Sequence, residues 1–145
     1  MSEQENIERV RQGVALLNAH DFAAYVQRID ESYVAESETV PGGVRGPAGV
    51  RQQLDMILGA FPDLRVELEQ VLASGDHVVT RIRLSGTHKG TFAGIAPTNK
   101  SVSWGVCGVT EIRNGKAIRG RLYGDNASLL QQIGALSMPR ATAAG

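Results

Sequence analysis

The chain has a single cysteine, Cys107, in 145 residues, which excludes an internal disulfide framework. It has no apolar run long enough for a signal peptide or a membrane span, so it reads as cytosolic. It also lacks net charge. Fifteen basic residues balance fifteen acidic ones, which leaves no electrostatic footprint for nucleic acid or an anionic membrane. A neutral or weakly charged partner fits better. Only three histidines occur, His20, His77 and His88, and their spacing matches no metal-ligand pattern, so no metal is expected. No Gly-rich strand-to-helix turn accompanies the arginines Arg81 and Arg83, which argues against a phosphate site. Neither an internal repeat nor a linker divides the chain. The expected organisation is one domain over 1–136 and a frayed tail over 137–145.

What is present falls into two halves. In the first, the hydrophobic period is helical. Ser2 with Glu5 has the spacing of a capping box, and Ile7, Val10, Val14 and Leu17 follow on one stripe. Asp21 is placed to cap a short second helix carrying Phe22, Tyr25, Val26 and Ile29. A short strand around Ser32–Glu36 then leads into a loop that reaches Arg45 through Pro41-Gly42-Gly43. Pro47 opens a third helix with Val50, Leu54, Ile57, Leu58 and Phe61 facing the core, and Pro62 ends it.

From Leu64 the period becomes two. Strands are predicted around 64–69, 77–86, 102–112 and 116–124, with a loop between Gly86 and Lys100. Asn114-Gly115 predicts a type I′ hairpin turn into the last strand. Along that strand Arg119, Arg121, Tyr123 and Asp125 fall on one face, and Ile118 and Leu122 on the other. Leu129, Leu130 and Ile133 form a closing helix. Helices followed by long antiparallel strands predict an α+β fold in which a strongly curved sheet encloses a cavity, a common site for small apolar molecules.

Three segments resemble the SnoaL-like polyketide cyclases of the NTF2-like superfamily. They are GAFPDLRVELEQVLASGDHVVTRIRLSGTHKG at Gly59–Gly90, FAGIAPTNKSVSW at Phe92–Trp104, and GKAIRGRLYGDNASLLQQIG at Gly115–Gly134. The resemblance implies a cone-shaped barrel, commonly a homodimer, with a buried aspartate at Asp125 acting as acid and base in a cofactor-free aldol closure. The chain departs from the family pattern at Arg121, where a tryptophan is usual, and at Arg119, where a glutamate is. Tyr33-Val34-Ala35-Glu36 stands where the family commonly carries a histidine.

The candidate catalytic residues are therefore Asp125, Tyr123 and Arg121, with His88, Phe92, Trp104 and Tyr33 as substrate contacts. Each has an alternative. Asp125 can equally cap the final helix. Tyr123 is either a donor to a developing enolate or a half-buried strand aromatic. Arg121 orients a carboxylate, polarises a carbonyl or neutralises Asp125. His88 is expected at the rim, and Cys107 as a small buried hydrophobe. Phe92 and Trp104 line a pocket or fill the core. The expected activity is ring closure in a polyketide-type natural product, of the kind found in antibiotic biosynthesis. It would run by aldol chemistry at Asp125 or by folding a polyene for pericyclic [4+2] closure. The alternatives are a non-catalytic ligand-binding module and, last, an epoxide hydrolase.

Overall fold

A computed structural model describes residues 2–137 and 139. Apart from Ser137 and Pro139, the expected tail lies outside the described residues. Four helices, α1 (Glu3–Asn18), α2 (Phe22–Val26), α3 (Gly46–Ala60) and α4 (Asn126–Gln132), accompany six strands. These are β1 (Ile29–Ser37), β2 (Val40–Arg45), β3 (Arg65–Ser74), β4 (His77–Thr87), β5 (Ser101–Arg113) and β6 (Lys116–Gly124). They form one curved sheet in the order β2-β1-β6-β5-β4-β3. Every neighbouring pair is antiparallel except β1 and β6, which run parallel.

Local signals explain most of the elements. The Ser2–Glu5 capping box starts α1, and Asp21 accepts from Ala24 N to start α2. Asn114 and Gly115 both take positive φ, 51° and 76°, as a tight turn of this kind requires. Two readings change. The loop predicted between Glu36 and Arg45 holds β2, an edge strand that tolerates Pro41 because its outer N–H positions need no partner. Ile29, expected on the α2 stripe, instead begins β1 opposite Ala117. Both changes come from pairing across the chain, which local periodicity does not encode.

The helices dock through side-chain amides that imitate a strand partner. Asn18 at the end of α1 exchanges two hydrogen bonds with the Val66 backbone, at 2.8 and 2.7 Å. Gln132 does the same for Ser103, at 2.7 and 2.9 Å. Each amide satisfies a backbone donor and acceptor that would otherwise need water. The main core joins Phe61, Leu64, Val66, Leu84, Val102, Trp104, Leu129 and Ile133, and a smaller one joins Ile29, Tyr33 and Ala35.

Asp63 ties the end of β4 to the turn after α3, accepting from Thr87 N and Oγ1 at 2.7 Å each. Those bonds hold its carboxyl below the usual carboxylate range. Its contribution to stability is thus complete above the unfolded-state pKa of about 3.9 and disappears as pH falls through the lower folded-state value. Urea unfolding should show Asp63→Ala destabilised at pH 6, with the difference from wild type shrinking below about pH 4. A difference that persists unchanged at pH 2 to 3, roughly, would mean the hydrogen bonds do not depend on charge.

Candidate functional site: a chamber under the helices

A cavity of about 340 Å³ lies between the helices and the concave face of the sheet. Its size falls in the range of roughly 300–1,000 Å³ typical of small-molecule sites. One end is apolar, walled by Leu64, Val66, Leu84 and Trp104 from the strands and by Ile57 and Leu17 from the helices. The other end lies near the β5–β6 hairpin. There Ala117 N donates to Arg28 O, and Val78 pairs with Thr110. Arg9, Arg28, Tyr25, Thr110 and Gly115 line this end. Tyr33 and Thr80 also line the wall. No Asp, Glu or His lines the chamber among the described residues.

Two phenols face this space. Tyr33 lies across β6 at Gly120, so close that a methyl group there would sit 2.5 Å from its hydroxyl. Burial, reinforced by Tyr25, pushes the Tyr33 phenol up to about 12. Burial also raises Tyr25, with the Arg28 charge opposing it. Both therefore stay neutral near pH 7 and remain hydroxyl donors. Neither hydroxyl has a protein hydrogen-bond partner among the described residues, which leaves both free for a ligand carbonyl.

The face expected to carry catalysis lies on the opposite side of the sheet. From Arg119 onward, alternation along β6 holds as predicted, with Leu122 and Gly124 facing the chamber and Arg119, Arg121 and Tyr123 facing out. Ile118 is a bulge, because Glu111 pairs with Arg119 while Ile112 pairs with Ala117. Arg121 donates to Tyr123 Oη at 2.6 Å and to Glu36 at 2.6 Å, with Glu38 at 3.3 Å. Tyr123 is 52% exposed. Asp125 is exposed and caps α4, accepting from Ser128 N at 3.1 Å. The buried pocket role expected for Asp125, Tyr123 and Arg121 is thus corrected. A polar row on a one-sided sheet goes to water, and the apolar row faces the helices.

Of the expected substrate contacts, Trp104 and Tyr33 line the chamber and His88 and Phe92 do not. His88 is fully buried rather than at the rim. Its Nδ1 lies 3.0 Å from Thr98 Oγ1 and 3.3 Å from Thr98 N, and its Nε2 has no partner among the described residues. Its ring packs 5.7 Å from Phe61, and Phe92 packs on the same phenyl at 5.5 Å. Both residues support the core behind the chamber wall. The Arg9, Arg28 and Tyr25 cluster was not singled out from the sequence. Tyr25 read as a helix stripe residue, and nothing in the spacing of the two arginines marks them as neighbours.

A helix-covered, strongly curved α+β sheet enclosing an apolar chamber is the NTF2-like fold. Within that class the chain belongs to the SnoaL-like polyketide cyclase family, whose model matches residues 7–133. AclR from Streptomyces galilaeus, described as a candidate hydroxylase, superposes with a TM-score of 0.86 at 28% identity, over 94% of this chain and 89% of its own. TsrD from Streptomyces laurentii gives 0.83 at 23% identity, over 94% and 99%. IdmH from Streptomyces antibioticus, described as a candidate polyketide cyclase, gives 0.76 at 22%, over 88% and 96%. The last two likenesses concern the fold alone. No curated protein matches the chain. Among the described residues, no helix is long and apolar enough to cross a membrane and no cluster of metal-ligating side chains occurs.

Proposed function

We propose that the protein closes a carbocyclic ring in a polyketide-type substrate by holding a flexible polyene folded in the chamber for pericyclic [4+2] closure. The observation that carries this reading is the lining. Its walls are apolar with hydroxyl donors, and no carboxylate or imidazole stands ready to take a proton. Pericyclic closure needs no proton transfer. It needs the reacting carbons held in contact, and freezing an already tethered chain in that shape can contribute several kcal/mol. The Tyr33 hydroxyl would donate to a carbonyl conjugated with the dienophile and draw charge from it. That is the role first expected of Tyr123.

Replacing Asp125 tests the choice of mechanism. Asp125→Asn should leave turnover of a linear triene–enone within about twofold across neutral pH, because general acid–base help of roughly 10²–10⁴-fold is absent from that position. Asparagine also caps helices well, so stability should hold, whereas Asp125→Ala should cost about 1 kcal/mol in urea unfolding. A loss of about 10²-fold in Asp125→Asn would return the aldol mechanism to this residue. A chamber without acid or base also suits a non-catalytic carrier. Binding of the triene without any ring-closed product in single-turnover assays would favour that second reading. A homodimer, which family membership implies, would cover the outer sheet face, where Leu72, Val109 and Tyr123 stand exposed in neighbouring rows.

A further inference from the structure

The chamber carries two guanidinium groups and, among the described residues, no counter-charge. Arg28, half-buried, reaches back to donate to the Arg9 carbonyl, and Arg9 itself stands half-buried in the same wall. The Arg28 guanidinium and the Tyr25 ring lie side by side over Gly13 of α1. A methyl group there would sit 3.4 Å from the ring and 3.5 Å from Arg28 Nε. Neither arginine has a carboxylate within ion-pair distance among the described residues. Arg51, Arg81, Arg83, Arg113 and Arg121, outside the chamber, each have one, and Arg11, Arg45, Arg65 and Arg119, which have none, are exposed to water. Burial, and then the nearby Arg9 charge, make the protonated form of Arg28 less favourable than in water. A cation held against an apolar space without a partner is unfavourable unless something else supplies the negative charge.

We propose that this end of the chamber is a recognition site for the carboxylate of an otherwise apolar ligand, taken by Arg28 with Arg9 and Tyr25 beside it. A guanidinium offers five donors in a planar fork, and the one bond to the Arg9 carbonyl leaves others to meet two carboxylate oxygens. The Tyr25 hydroxyl adds a neutral donor at the same place. The apolar chain would then run toward Trp104 and Leu84 at the far end. This orientation would present the polyene to the Tyr33 phenol in a single register, so the site would decide which bonds can form. The inference rests on the ring-closing reading only for the nature of that apolar chain.

The test is binding, read by calorimetry at pH 7.5, roughly, with decanoate and its neutral isostere decanamide. Wild type should bind decanoate at least about tenfold more tightly, the worth of one charge-assisted hydrogen-bonded pair. Arg28→Met should abolish the preference while still binding decanamide, and Arg28→Lys should keep part of it. If Arg28→Met does not fold, Arg9→Met must lower the same ratio. Equal affinities in wild type, no binding of decanoate at millimolar concentration, or a preference that survives Arg28→Met would each overturn the proposal. A wild type that prefers decanoate yet closes no ring would remove the cyclase reading and leave the carboxylate site standing.

Discussion

Thr80→Trp should reduce ring closure by about 10³-fold or more while the protein stays folded. Thr80 stands half-buried on the concave side of β4 and lines the chamber. An indole there projects into the empty volume of about 340 Å³ rather than into packed core. The overpacking that normally destabilises an interior is therefore largely avoided, and the added ring buries apolar surface. What is lost is room for a folded substrate. If pre-organisation supplies most of the catalysis, losing even about 4 kcal/mol of it gives the stated drop. The measurement is kcat/KM on a linear triene–enone, beside a thermal melt. Turnover kept within about tenfold, with an unchanged melt, would move the chemistry out of the chamber.

Gly90→Ala should be the most destabilising small substitution in the chain, at about 3 kcal/mol or more. Lys89 N and Gly90 N both donate to Ala60 O, at 3.0 and 3.1 Å, so this loop is strapped to the end of α3. A methyl group at Gly90 would overlap Gly59 O and lie 2.9 Å from Gly59 C and 3.1 Å from Ala60 Cα. All three atoms are backbone, and none can rotate aside. Either both hydrogen bonds lengthen or the last turn of α3 moves off Phe61, which is fully buried in the main core. For a chain of this length the loss corresponds to about 10 °C in Tm. A shift of only one or two degrees, roughly, would show that the loop can swing away without disturbing the helix.

Those two sites differ in how visible they are before folding. Thr80 reads as one of several residues in an alternating strand, and nothing marks it as facing a hollow. Gly90 sits in a Gly-Thr-His-Lys-Gly run whose family resemblance is plain, yet the α3 backbone it touches is 30 residues away. The last strand makes the same point more sharply. Its two faces could be separated residue by residue, and the structure keeps that separation from Arg119 onward, past the bulge at Ile118. The cluster of arginine, phenol and carboxylate drew attention as chemistry because those groups do chemistry when buried. On a sheet with only one covered face they were the groups with most to gain from water.

The order of helices and strands apart from β2, the hairpin at Asn114-Gly115, the capping residues and the family were legible in the chain. Each depends on short-range geometry or on contiguous motifs. Tertiary structure alone decided which side of the sheet the helices cover. It alone brought β1 parallel to β6, and it alone set Arg9, Tyr25 and Arg28 around one end of a hollow that also holds Tyr33. The physical reason is that a cavity and its electrostatics belong to surfaces contributed by distant segments. No residue's own spacing records which others will share its space, or whether a charge placed there will find a partner.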